Sequence, residues 1–146
     1  MIRVKALLFA AAAAILLNCG LEEGASAENI QNGPVNGVVV YYFHGNFRCV
    51  NCKTIEQNTK EALEKYFRKE LDAGTVVFKA VNVETKGNEH FTEDYKLYTK
   101  SVVLSLVKGG KEVKSGNLTR VWEYLRNKDA FHQYIKGEVE KYLEEL

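Results

Sequence analysis

The sequence is poor in the features that mark most specialised protein classes. It has a single proline, Pro34, three cysteines and a formal net charge of +1. The near balance of charges gives no electrostatic reason to expect a nucleic-acid partner. Three cysteines are few for an extracellular domain that is held together by disulfides. The sequence also has no internal repeat. Its length of 146 residues and its composition predict one modest globular domain.

One long apolar run is present, at residues 6–17, directly after a basic start. It is shorter than the roughly 20 residues of a membrane-spanning helix, but it matches the core of a signal peptide. Residues 25–27, Ala-Ser-Ala, fit cleavage after residue 27. Residues 16–20 resemble a bacterial lipobox instead, in which Cys19 becomes the lipidated first residue. An uncleaved anchor is the third alternative, and all three predict an exported protein, periplasmic or membrane-anchored and facing outside the cytoplasm.

The remaining chain divides into a polar linker and a domain. The linker covers residues 28–36 and contains the only proline, and the domain covers residues 37–146. If the leader is removed, Cys49 and Cys52 are the only cysteines left. Such a pair indicates function rather than a structural staple, since secreted scaffolds carry more cysteines spaced over larger loops.

The Cys49-Val-Asn-Cys52 motif is the most informative feature of the domain. Residues 38–43 form an unbroken apolar run, which predicts a strand buried on both faces. Helical spacing of apolar residues begins at the cysteines, so Cys49 is expected at a helix N-terminus. There, unpaired N–H groups and the helix dipole favour a thiolate. Two cysteines one helical turn apart can close a disulfide and reopen it, and the motif therefore predicts a dithiol that exchanges electrons.

The rest of the domain shows a regular series of elements. A long helix from the cysteines is predicted to close at residues 72–74, with Gly74 as its C-terminal cap. Periodicity and turn residues then predict a strand at 75–83, a helix at 88–98, a strand at 101–107, a tight Gly-Gly turn, a strand at about 112–115, and helices at 118–125 and 129–146.

This β-α-β-α-β-β-α order, with CxxC at the first strand–helix junction, resembles the thioredoxin-like superfamily over residues 38–125. Residues 47–53 occupy the place of its redox motif, and residues 106–112 resemble its strand–glycine turn–strand hairpin. More narrowly, residues 42–49 resemble an exported thioredoxin-like family that forms a subunit of a nitrophenyl-compound reductase. The superfamily resemblance implies an α/β fold with a central mixed sheet flanked by helices.

The resemblance also implies an enzyme, a thiol-disulfide oxidoreductase. Cys49 would be the exposed nucleophile and Cys52 the resolving thiol. No cofactor is expected besides the redox-active disulfide that these cysteines form. The partner would be a protein disulfide or dithiol, or a reductase subunit that receives electrons. Membrane contact is expected only through a lipid anchor at Cys19.

Three departures from the family pattern concern residues near the motif. Arg48 replaces an aromatic residue, and a guanidinium that points to Cys49 would lower the pKa of Cys49. The alternative is an exposed arginine that points to solvent. No acidic residue lies in residues 38–43. Val102 replaces the cis-proline, which predicts a more open cysteine face or an altered pairing of extended substrates with the backbone. The bond before Val102 is expected to be trans, because a cis bond without proline is costly. His44 is a candidate base or third ligand, although a packing role is favoured.

Two other functions stay open on the sequence. A pair of thiolates suits copper(I) or zinc, with Cys49, Cys52 and His44 as candidate ligands of a periplasmic carrier. The heavy-metal-associated family begins in the same way, but its order is β-α-β-β-α-β. The second alternative is a non-catalytic thioredoxin-like scaffold subunit that docks through aromatic residues, of which Phe47 is expected to be the most exposed.

Overall fold

The computed structural model describes residues 33–146. The leader predicted at 1–27, its candidate lipidation residue Cys19, and residues 28–32 of the linker lie outside this part of the chain. The elements in chain order are β1 (Gly37–His44), α1 (Val50–Tyr66), α2 (Arg68–Asp72), β2 (Val76–Asn82), α3 (His90–Asp94), β3 (Ser101–Lys108), β4 (Lys111–Asn117), a 3₁₀ helix (Thr119–Trp122) and α4 (Lys128–Leu143). No helix in residues 33–146 is long and apolar enough to cross a membrane.

The four strands form one mixed sheet in the order β2-β1-β3-β4. Strand β1 pairs in parallel with β2 and antiparallel with β3, and β3 pairs antiparallel with β4. Because β1 has a neighbour on each edge and is buried on both faces, residues 38–43 are apolar without interruption. Strands β3 and β4 meet at Gly109 and Gly110, whose φ angles of 59° and 74° are left-handed values that glycine adopts readily. The predicted hairpin is confirmed.

Strand order and connectivity confirm the predicted α/β, thioredoxin-like fold. The β3–β4 hairpin follows α3, as the sequence order requires. The order β-α-β-β-α-β of the heavy-metal-associated family is therefore not the order of this chain. Helices α1 and α4 pack on one face of the sheet, and α3 lies on the other.

The first predicted helix is divided rather than continuous. It breaks at Phe67, which has φ −128° and ψ 30°, and resumes as α2. Phe67 is buried in the main core, whereas α2 has no buried residue. Gly74 then ends the segment with φ 72°, as predicted. The predicted helical spacing is confirmed, but the prediction of one uninterrupted helix is wrong.

Two later helices are shorter than predicted. The helix expected at 88–98 is only α3, and the chain leaves it at Lys96, whose φ of 50° is left-handed. The N–H of Leu97 then bonds to the carbonyl of Thr92 at 2.9 Å, which closes the turn. The segment 118–125 contains a 3₁₀ helix rather than an α-helix.

The main core lies between the sheet and helices α1 and α4. Alternate residues of β1 and β3 point into it, as a period of two requires, and its fully buried members include Val38, Val40, Tyr42, Ile55, Val102, Leu104, Phe131 and Ile135. A smaller cluster on the opposite face joins Phe43 and Val103 to Phe91 and Leu97. The end of β1 is thus held from both sides, which fixes the start of α1 in space.

His132 is a buried titratable group at the contact between α1 and α4. Its Nε2 lies 3.6 Å from a carboxylate oxygen of Glu61 and has no hydrogen-bond partner. Burial is the largest influence and lowers the pKa of His132; Glu61 opposes this, and Lys128 and Lys65 add to it. The folded protein therefore holds His132 neutral where the unfolded chain, with a pKa of about 6.5, begins to bind a proton.

We expect the free energy of unfolding to fall as the pH drops from 7 to 5. The unfolded state binds more protons in this window, so stability that is present above pH about 6.5 is lost below it. Urea titrations at pH 7 and pH 5 measure the difference. His132→Leu is the control, because it removes the titrating group and should reduce the pH difference. An equal difference in both proteins would contradict the assignment.

Candidate redox site

Cys49 lies at the start of helix α1, just beyond the end of β1. It is the N-cap of α1, with φ −72° and ψ 167°, and its Sγ accepts a hydrogen bond from the N–H of Cys52 at 3.1 Å. The predicted position at a helix N-terminus is confirmed. An N–H donor and the positive end of the helix dipole both favour negative charge on this sulfur.

The two cysteines are joined in a disulfide across one helical turn, with their Cα atoms 5.0 Å apart. Their environments differ. Cys49 is half-buried, whereas Cys52 is only 1% exposed and belongs to the buried core. A partner can therefore reach the sulfur of Cys49 far more easily than that of Cys52.

The loop between β1 and α1 is fixed by residues at the end of β2. The N–H of Asn46 donates to Glu84 at 3.0 Å, and the amide of Asn82 donates to the side-chain oxygen of Asn46 at 2.7 Å. The adjacent strand therefore determines where the cysteine motif begins. No local pattern in the sequence points to these contacts, because they join residues far apart in the chain.

Tyr42, in strand β1, is hydrogen-bonded to the backbone of the cysteine motif. Its side chain is fully buried, and its hydroxyl donates to the backbone carbonyl of Cys52 at 2.6 Å. Burial is the main cause that raises the pKa of Tyr42 to about 12, so the hydroxyl keeps its proton at neutral pH. The sequence predicts Tyr42 in the strand core but does not predict this bond. The available signal is a tyrosine at an inward-facing position, because a buried tyrosine hydroxyl needs a partner.

Arg48 is turned to helix α1. Its guanidinium pairs with Glu56 and lies over the ring of Tyr42, 5.7 Å from the centroid. Glu56 also accepts from Lys60 at 2.9 Å. Burial alone would raise the pKa of Glu56, but the hydrogen bonds and charges of Lys60 and Arg48 outweigh it and hold that pKa below its usual value. Arg48 is thus an ion-paired, partly buried residue rather than one that points freely to solvent.

His44 packs beside the site. Its ring stacks on Tyr42 with centroids 5.8 Å apart, and its Nδ1 lies 2.9 Å from the carbonyl oxygen of Gly45. These contacts agree with the favoured packing role. In residues 33–146, no group of three or more histidine, cysteine or carboxylate side chains is arranged to hold a metal ion. In the disulfide form that the structure describes, His44, Cys49 and Cys52 do not form such a group.

Val102 is a core residue. It lies opposite Tyr42 in the β1–β3 register and is fully buried, and its carbonyl accepts from the N–H of Leu118 at 2.8 Å. Residues 33–146 contain no cis peptide bond, as expected for the bond before Val102. The Val102 side chain therefore belongs to the core, and one acceptor position of its carbonyl is occupied within the chain. Its effect on the openness of the cysteine face and on substrate pairing stays a prediction.

Exposed apolar residues occur on both sides of Cys49 in the chain. Phe47 is 76% exposed, as predicted, and Val50 is also exposed. At the same end of the sheet, an open depression of about 160 Å³ is lined by residues that include His44 and Tyr98. Tyr98 is exposed, whereas Tyr95 packs against the smaller core. The cysteine motif thus lies at a surface with accessible aromatic side chains.

Neither a family model nor a curated protein matches this chain. Solved structures do match, and thioredoxins from several organisms are among them. The Schistosoma mansoni thioredoxin pre-protein is 24% identical over 63% of this chain and 79% of its own, with a TM-score of 0.40. The Fasciola hepatica thioredoxin is 26% identical over 66% and 84%, with a TM-score of 0.38. The Trypanosoma brucei brucei thioredoxin is 17% identical over 77% and 82%, with a TM-score of 0.44. Since these scores are low, the fold assignment rests on the strand order and connectivity of the chain itself.

Proposed function

We propose that the protein is a thiol-disulfide oxidoreductase that uses the Cys49–Cys52 pair. The observation that carries this proposal is the disulfide at the N-terminus of α1, in which an accessible Cys49 is joined to a buried Cys52. Dithiol exchange needs this asymmetry, because one sulfur must be accessible to the partner and the other must lie close enough to attack the mixed disulfide. No cofactor besides the disulfide is required.

The reaction begins with the reduced protein. The Cys49 thiolate attacks one sulfur of a partner disulfide, and the other partner sulfur leaves as a thiolate, which takes up a proton. A mixed disulfide then joins Cys49 to the partner. Cys52 loses its proton and attacks the sulfur of Cys49, which expels the second partner thiolate and closes the Cys49–Cys52 disulfide. Two electrons pass to the partner, and the reverse steps oxidise a partner dithiol.

Two features of the geometry support Cys49 as the nucleophile of the proposed reaction. The N–H of Cys52 donates to the sulfur of Cys49, and the dipole of α1 adds positive potential at the same atom. A thiolate, not a thiol, is the attacking species. The Tyr42 hydroxyl fixes the carbonyl of Cys52 and so holds the first turn of the helix in place.

We assign the partner to the class of protein disulfides and dithiols. Export, through the leader at residues 1–27 or a lipid anchor at Cys19, is part of the proposal and would locate this exchange outside the cytoplasm. The finer role is delivery of electrons to a reductase of nitrophenyl compounds, and its support is the resemblance of residues 42–49 to that subunit family.

A redox titration tests the proposal. The full chain carrying Cys19→Ala is equilibrated with dithiol buffers of graded potential, its thiols are trapped by alkylation, and labels on Cys49 and Cys52 are counted by mass. We expect one reversible two-electron transition. A midpoint near −270 mV would indicate a reductant, and one near −120 mV an oxidant. If no disulfide forms at any potential, the oxidoreductase proposal fails.

A further inference from the structure

Arg48 lies next to the proposed redox site in the chain, but its charged group is directed along helix α1. Along the chain it directly precedes Cys49, so their Cα atoms are about 3.8 Å apart. Its guanidinium, however, pairs with Glu56, which lies one helical turn beyond Cys52 on α1. The positive charge nearest to Cys49 in sequence is therefore held by a carboxylate on the Cys52 side of the motif.

The position of Arg48 depends on two contacts. One is the ion pair with Glu56, and the other is the ring of Tyr42, 5.7 Å from the guanidinium carbon. The Nε of Arg48 is buried and has no hydrogen-bond partner. A buried donor without an acceptor disfavours the arrangement that contains it, so the ion pair must outweigh this cost for Arg48 to stay on the helix.

Glu56 can hold Arg48 on the helix because its carboxylate is itself partly buried. The side chains of Arg48 and Glu56 are 27% and 17% exposed, so solvent screens their pair less than it would a fully exposed one. Lys60 donates to the other oxygen of the Glu56 carboxylate. Two cations thus share one anion, and the carboxylate oxygen that binds Arg48 is not the one that binds Lys60.

We propose that Glu56 is a positioning residue of the redox site, which holds the guanidinium of Arg48 on α1 and so limits how strongly Arg48 stabilises the Cys49 thiolate of the reduced protein. This inference rests on the proposed function. Reduction of the disulfide adds two electrons and one proton, and it leaves Cys49 as a thiolate and Cys52 as a thiol. Any group that stabilises the thiolate favours the reduced form and makes the protein a stronger oxidant.

Three other titratable groups face this cluster from the neighbouring elements. Tyr42, beneath Arg48, has its pKa raised to about 12 chiefly by burial and stays neutral. His44 stacks on the same ring from the end of β1. Glu84, from beyond β2, accepts from the backbone of the loop. None of these residues is substituted in the variants that test the inference.

The test measures two quantities on the full chain carrying Cys19→Ala. One is the pH midpoint of Cys49 thiolate formation, from the pH dependence of alkylation with mass mapping. The other is the equilibrium constant for exchange with dithiothreitol. In Glu56→Gln we expect the midpoint to move to lower pH, with about 3- to 10-fold more thiolate below it. The exchange equilibrium should move in the direction of the reduced protein.

Three further variants separate the mechanism from general effects. Glu64→Gln, an exposed change on the same helix, should leave both quantities as they are. Glu56→Asp keeps the charge and should restore most of the original behaviour. Arg48→Met should move the midpoint to higher pH, because Glu56 is then left with one cation fewer. In the Arg48→Met background, Glu56→Gln should have a clearly smaller effect.

Either of two results would overturn the inference. One is a Glu56→Gln protein that behaves like Glu64→Gln. The other is a Glu56→Gln effect of the same size with and without Arg48, which would show direct repulsion rather than positioning. If the unsubstituted Cys49–Cys52 pair titrates normally in the redox experiment, these results leave the proposed function intact. Absence of any two-electron transition would instead remove the proposed function itself.

Discussion

Replacing Cys52 with serine is expected to abolish turnover and to leave Cys49 covalently joined to the partner. The resolving attack on the mixed disulfide needs a second thiolate, which serine cannot supply. The loss of turnover should be on the order of 1,000-fold or more, as for residues that act as a unit in covalent catalysis. A non-reducing gel followed by mass mapping measures the trapped species.

Cys49→Ser is the matched control for this experiment. Both variants lose the same disulfide, so the contribution of that cross-link to stability is removed from each of them. We expect no trapped partner with Cys49→Ser, because the remaining thiol at Cys52 is 1% exposed. Equal trapping by the two variants would refute the assignment of Cys49 as the nucleophile.

The elements that carry the motif could be predicted because their signals are local. Strand β1 is an unbroken apolar run, and the hairpin between β3 and β4 contains two adjacent glycines with positive φ. Cys49 could be placed at a helix start because helical spacing begins there. These signals, taken in order, determine the connectivity of the fold.

The helix boundaries could not be predicted because tertiary contacts set them. No glycine or proline marks the break at Phe67, whose burial in the core interrupts a continuous helical pattern. Lys96 adopts a left-handed φ that lysine seldom takes, and this ends α3 early. Sequence periodicity indicates which residues face the core but not where the backbone must turn to let them do so.

The electrostatic contacts of the site could not be predicted from the sequence either. A basic residue beside Cys49 suggests a guanidinium near the thiolate, yet Arg48 pairs with Glu56 on the helix. Residues 38–43 contain no acidic side chain. The carboxylate that pairs with Arg48 belongs to Glu56 on α1 instead. Side-chain direction in a loop depends on partners that a linear pattern cannot identify, and Tyr42 and its bond to Cys52 illustrate the same point.

Phe131→Ala is expected to remove a large part of the stability of the folded domain. Phe131, in α4, is 0% exposed and packs in the main core against β1 and α1. Truncation of a buried phenylalanine costs about 3–5 kcal/mol, a large share of the roughly 5–15 kcal/mol by which a domain is stable. Urea unfolding of the oxidised protein measures the loss.

Phe47→Ala makes the same chemical change at the redox surface and serves as the matched comparison. Phe47 is 76% exposed, so its truncation should change the free energy of unfolding by no more than about 0.5 kcal/mol. It should instead slow exchange with a protein disulfide while leaving exchange with dithiothreitol unchanged, because only a macromolecular partner covers the surface beside Cys49. Phe131→Ala should show the reverse. Its free energy of unfolding should fall strongly, whereas the redox equilibrium of the molecules that remain folded should be unaltered. If Phe47→Ala destabilises the protein as much as Phe131→Ala, or exchanges with protein disulfides at the original rate, then Phe47 is not part of the partner surface.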